Sequence, residues 1–95
     1  MRKIIVSQQK ALLAEAERPS LDNPKRVIVK VHYSSISPGT ELGLIRNPAI
    51  PDGFHLGYSA SGEVVEVGSA VTKVKKGDYV ACYGAPYVYH AEMLS

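Results

Sequence analysis

The chain has 95 residues and a net charge of +2, from 11 Lys and Arg against 9 Asp and Glu. That length holds one domain at most, and a balanced charge with no dense basic tract excludes nucleic acid as an expected partner. A single Cys82 excludes an internal disulfide and a multi-cysteine zinc site. The apolar stretch within residues 1–10 (MRKIIVSQQK) is too short for a signal peptide or a membrane span, so the expected place is the cytoplasm, with no membrane partner.

Glycines and prolines, 8 and 6 of them, separate short β-branched runs and leave no long amphipathic helix, so the chain reads as mainly β. Residues 3–6 (KIIV) make the first predicted strand. Residues 11–17 (ALLAEAE) favour helix by local propensity, but seven residues cannot sustain an isolated helix, and the polar SQQK before them looks like a turn; they are read as a strand. Residues 26–33 (RVIVKVHY) alternate, with Val27, Val29, Val31 and Tyr33 on one face and Arg26, Ile28, Lys30 and His32 on the other. Residues 40–46 (TELGLIR) read as a short helix with Thr40 as N-cap and Pro48 closing it, followed by an irregular loop over 47–53. Further strands are expected at 63–67 (EVVEV), 79–83 (YVACY) and 87–93 (YVYHAEM). Short strands in this number suggest a small barrel or sandwich.

The order of elements in the second half carries a resemblance. Residues 57–68 (GYSASGEVVEVG) run into 71–80 (VTKVKKGDYV), and upstream Val29-Lys30-Val31 precedes Pro38-Gly39-Thr40-Glu41-Leu42. This resembles the GroES-like catalytic domain of the medium-chain dehydrogenase/reductases. Their pattern is a strand, C-x-T-D, a G-H-E-x-x-G turn, a strand ending in V-G, and V-x-x-x-K-x-G-D-x-V. The resemblance spans nearly all of residues 1–95 and implies a small, partly open GroES-like β-barrel with one short helix. It also implies NAD(P) as cofactor in an intact enzyme that moves hydride between a nicotinamide and a small-molecule carbonyl or alcohol. No strand, G-x-G-x-x-G turn and helix unit occurs here, so the chain is expected to be a fragment lacking the Rossmann domain and inactive alone. A homo-oligomer is left open.

Two departures from that pattern bear on metal chemistry. The family's zinc-binding Cys and His positions are Pro38 and Tyr58 here, and the Glu after that His is Ser59. Proline offers no donor atom and a neutral phenol replaces imidazole poorly, so no zinc is expected. Together with residues 81–84 (ACYG) and 90–92 (HAE), these departures resemble a zinc-less subgroup that includes bacteriochlorophyllide-dehydrogenase-like proteins and bi-domain oxidoreductases.

By the same resemblance Thr40 matches the hydroxyl that bonds the substrate oxygen, a role open alongside its capping role, and Gly39 next to it is a cofactor contact. Tyr58 stands in the vacant ligand position, where its hydroxyl could donate to a substrate carbonyl; packing is the bland alternative. Thr40 and Tyr58 are expected to converge. Glu41 is expected to hold the loop. His55 is the third catalytic candidate, as a general acid near the cleft, ahead of His90, while His32 is read as exposed and Cys82 as a small buried residue. The six tyrosines are read as barrel wall or pocket lining. Two other functions use the same barrel: a stand-alone binding module, and a co-chaperonin like chaperonin-10, against which the polar segment 34–41 argues.

Overall fold

A computed structural model describes residues 1–84 and 87–95. Its first unit is a hairpin of β1 (Arg2–Ser7) and β2 (Lys10–Glu15), joined through Gln8 and Gln9 at φ 50° and 59°. Two successive positive φ values make the tight hairpin turn whose twist matches its strands. Pairing of Leu13 with Ile4 and Leu12 with Ile5 overrides the helical propensity of the Ala-Leu-Glu run. The chain continues through β3 (Val27–Ser34), α1 (Pro38–Arg46), β4 (Phe54–His55), β5 (Ser59–Val67), β6 (Tyr79–Tyr83) and β7 (Met93–Leu94). The strands form two antiparallel sheets in the orders β2-β1-β4 and β6-β5-β3-β7.

The alternation expected along β3 is broken by two register shifts against β5. Pairing skips Val65 on β5 and His32 on β3, so Ile28 and Val29 are both buried, and Tyr33 turns out to 77% exposure instead of sharing the face of Val29. Tyr79, Tyr83 and Tyr87 are exposed too, so the reading of the tyrosines as barrel wall holds poorly.

The expected strand over 87–93 shrinks to β7. Residues 90–92 instead cross from one sheet to the other: the Ile4 amide donates to the His90 carbonyl and the Val31 amide to the Glu92 carbonyl, each at 2.9 Å. The His90 amide donates to the Leu56 carbonyl at 2.8 Å, and Lys3 bridges Ala91. A segment whose backbone serves both sheets cannot pair along either for long. This crossing closes the sheets into a partly open barrel and plants His90 at the corner between β1, β3 and α1.

Gly62 is the tightest backbone contact, since a Cβ there would lie 2.1 Å from the Lys30 carbonyl oxygen, whereas Gly43 on α1 has nothing within 4 Å. Gly62→Ala is therefore expected to destabilise the domain by about 1–3 kcal/mol or more, and Gly43→Ala to stabilise it by about 0.5–1 kcal/mol. Denaturant unfolding of the two variants against the parent checks both signs.

Candidate active site

The site is built around the start of α1. Ser37, in an extended conformation, is the N-cap, and Pro38 occupies the first turn, where its missing N–H and fixed φ suit a helix start. Thr40 is thus inside the helix and is not the cap. The Ser37 hydroxyl makes no cap bond; it meets the Tyr58 hydroxyl at 2.6 Å. The capping task passes to Glu41, whose Oε2 accepts the Ser37 backbone N–H, reaching back as the acid of a capping box does.

Glu41 is only 5% exposed, and a buried carboxyl is costly unless fully partnered. Its other oxygen, Oε1, meets His90 Nε2, and His90 Nδ1 lies 2.6 Å from Ser34 Oγ. Ser34, His90, Glu41 and Ser37 therefore form one hydrogen-bonded chain from β3 through the crossing segment to α1. Gly57 makes room for it: at φ 95° it passes so close that a Cβ would lie 2.8 Å from the imidazole. Ser34, Glu41 and His90 face a cavity of about 500 Å³ whose other walls, among them Ile4, Ile36, Leu42, Ile45 and Leu56, are apolar.

The expected site residues do not all reach this cavity. Tyr58 stands beside it, bonded to Ser37 and packed edge-on against Tyr83 with ring centroids 5.4 Å apart. Thr40 and Gly39 lie exposed on the first turn of α1, and Thr40 does not meet Tyr58, whose hydroxyl is taken by Ser37. His55 is elsewhere, stacked on Tyr89 at 3.9 Å with its Nε2 3.0 Å from Lys3 Nζ. Burial, and then the Lys3 ammonium, push its pKa below the ordinary 6.5. An imidazole whose charged form is disfavoured first by burial and then by a neighbouring lysine is a poor general acid. Cys82 packs on the core cluster of Ala60, Val88 and Leu94, and burial pushes its thiol pKa up, which makes it unreactive. His90, placed behind His55 on the sequence alone, is the imidazole on the cavity wall, and its partner is an acid 49 residues away, a pairing that periodicity cannot reveal.

Residues 23–93 match the family described as the alcohol dehydrogenase GroES-like domain. The chain belongs to that family. It is 37% identical over 83 residues to the zinc-type alcohol dehydrogenase B of Aspergillus flavus, covering 84% of this chain and 19% of that protein. It is 43% identical over 67 residues to a probable D-xylulose reductase A of Aspergillus clavatus, covering 66% of this chain and 19% of that protein. The solved quinone oxidoreductase of Coxiella burnetii superposes over 99% of this chain and 33% of its own, with a TM-score of 0.78 and 28% identity. The chain thus spans about a fifth of the length of the curated relatives it matches. Its barrel is the GroES-like domain of the medium-chain dehydrogenase/reductases, and its strand order carries that fold.

Zinc-type relatives raise the question of whether this GroES-like domain fits a zinc ion. Among the described residues no group of three or more His, Cys, Asp or Glu side chains comes together. The nearest pair, Glu41 and His90, direct their polar atoms at each other and at Ser37 and Ser34. With Pro38 and Tyr58 at the two ligand positions, the donor set does not fit a tetrahedral zinc site. Among the described residues no helix is long and apolar enough to cross a membrane.

The perturbation of His55 is directly measurable. Because its folded pKa lies below the unfolded value of 6.5, its contribution to stability is complete above that pH and is lost as the pH falls toward the folded pKa. An NMR titration is expected to place the His55 midpoint below 6.5, and Lys3→Met to raise it only part of the way, since burial is the larger cause.

Proposed function

We propose that this domain is the catalytic portion of an NAD(P)-dependent oxidoreductase that transfers hydride between the nicotinamide and a carbonyl or alcohol without zinc. The observation that supports this reading best is the cavity beside α1, where apolar walls surround a hydrogen-bonded serine, imidazole and carboxyl in a barrel of the dehydrogenase family. Such groups handle protons, and charge developing on a carbonyl oxygen can be met by positioned donors as well as by a metal.

The cofactor would be held mainly by a second, Rossmann-type domain, so the barrel alone turns nothing over. Its own contribution would be the exposed first turn of α1, where Gly39 leaves open space for a close approach and Thr40 offers an exposed hydroxyl. Tyr58, in the vacant ligand position, does not line this cavity; its hydroxyl pairs with Ser37 and so positions the start of α1. His55 has no part in this chemistry. The free thiol of Cys82 suits the cytoplasm. A co-chaperonin role has no support beyond the shared barrel, since the relatives named above are reductases and dehydrogenases.

The test uses the intact enzyme. It is expected to oxidise NADH or NADPH with a carbonyl substrate, to hold no stoichiometric metal by elemental analysis, and to keep its rate after chelator treatment. Tyr58→Phe, which removes only the bond to Ser37, is expected to leave kcat within a few-fold of the parent, with little change in Tm. A stoichiometric zinc whose removal abolishes turnover overturns the zinc-free reading, and a Tyr58→Phe enzyme slower by about 10²-fold or more overturns the positioning role of the phenol.

A further inference from the structure

His90 stands between two spaces. On one side is the apolar cavity of about 500 Å³ that it shares with Ser34 and Glu41. On the other is a smaller, more open one of about 190 Å³, lined by Ile4, Leu13 and Ala91 together with Arg2, Lys3 and Glu92. Its two ring nitrogens are divided between partners: Nε2 meets Glu41 and Nδ1 meets Ser34 Oγ at 2.6 Å. An imidazole whose acid partner fixes one nitrogen presents the other in a defined orientation, and a hydroxyl on that second nitrogen exchanges its proton with the ring. Ser34 is the member of this chain with a hydroxyl on the cavity wall.

We propose that Ser34, His90 and Glu41 form a proton relay into the apolar cavity, which takes an uncharged carbonyl compound with an apolar body and its oxygen at Ser34 Oγ. This rests on the oxidoreductase reading and names the proton donor and substrate class for it.

In reduction, hydride from the dihydronicotinamide forms the new C–H bond at the carbonyl carbon, and the C=O π pair moves to oxygen. The Ser34 hydroxyl gives its proton to that oxygen and takes the Nδ1 proton of protonated His90. The alcohol leaves, the nicotinamide is oxidised, and neutral His90 regains its Nδ1 proton through the Ser34 hydroxyl from water that enters the emptied cavity. Glu41 stabilises the imidazolium before transfer and holds the ring in register throughout; it is a positioning residue, as is His90, and Ser34 is the catalytic one. Oxidation of the alcohol runs the same path in reverse. Substrate class follows from the walls: Ile4, Ile36, Leu42, Ile45 and Leu56 offer nothing to a charged or polyhydroxylated body, and leaving its polar groups unpaired there would oppose binding.

The experiment uses the intact enzyme with NAD(P)H and a paired set of carbonyl substrates, one aliphatic or aromatic and one a sugar. Ser34→Ala is expected to lower kcat about 10²-fold, in the range of a lost general acid, with KM changed little, and Ser34→Thr to restore most of the rate because it keeps the hydroxyl. His90→Ala is expected to lose turnover and to regain it saturably with added imidazole. The apolar carbonyl is expected to have the higher kcat/KM. A parent that turns over while Ser34→Ala stays within a few-fold of it overturns the relay, as does a Ser34→Thr enzyme no better than Ser34→Ala. Should His90→Ala fail to fold, the two serine variants decide alone. Preference for the sugar overturns the substrate class. A parent that oxidises no NAD(P)H with any carbonyl overturns the oxidoreductase reading itself, a result distinct from the others.

Discussion

The contact on which this domain's arrangement rests is the buried pair of Glu41 and His90. A carboxyl at 5% exposure needs every oxygen answered, and this one is answered from two directions, by the Ser37 amide at the start of α1 and by the imidazole from the crossing segment. Each partner does structural work elsewhere. Ser37 begins the helix and anchors Tyr58, while the backbone of His90 bonds both Ile4 and Leu56. One polar contact thus ties helix, hairpin and sheet around a cavity that the apolar residues alone would leave unclosed.

The apolar core is small, which gives that contact more weight. Among the described residues Val6, Ile28, Val29, Leu56, Ala60, Val64, Val88 and Leu94 are the buried hydrophobic ones, while Tyr33, Ile36 and Tyr83 are largely exposed. A domain of this size buries a modest fraction of its surface and is marginal on core packing alone. Close backbone approaches, at Gly57 against the His90 ring and at Gly62 against the Lys30 carbonyl, let the barrel draw tight where side chains would hold it apart. The same approach at Gly57 seats the imidazole, so the demands of folding and of the site meet at one residue.

The barrel was legible in the sequence because short β-branched runs between glycines have a physical signature, and β6 falls where the pattern put it. Reading the Ala-Leu-Glu run as strand against its propensity also succeeded, since strand pairing decides short segments. The pattern failed where backbone geometry departs from regularity. Skipped residues on β3 and β5 sent Tyr33 outward, and the crossing segment turned an expected strand into a corner. The site was half legible: Glu41 and Tyr58 were singled out by position, but the hydroxyl that meets Tyr58 belongs to Ser37 instead of Thr40. Ser34 and His90 lie 56 residues apart and carry no local signal, so only the folded chain joins them.

Glu41 and His90 act as one unit, and a double-mutant cycle measures their coupling. Unfolding free energies of the parent, Glu41→Gln, His90→Gln and the double variant are compared under one buffer. Each single change disrupts the contact of a buried polar partner and is predicted to cost about 1–3 kcal/mol, with the double variant short of the sum by a coupling energy of about 1–3 kcal/mol. Single costs that add to within about 0.5 kcal/mol, as they do for residues that do not touch, would contradict the account.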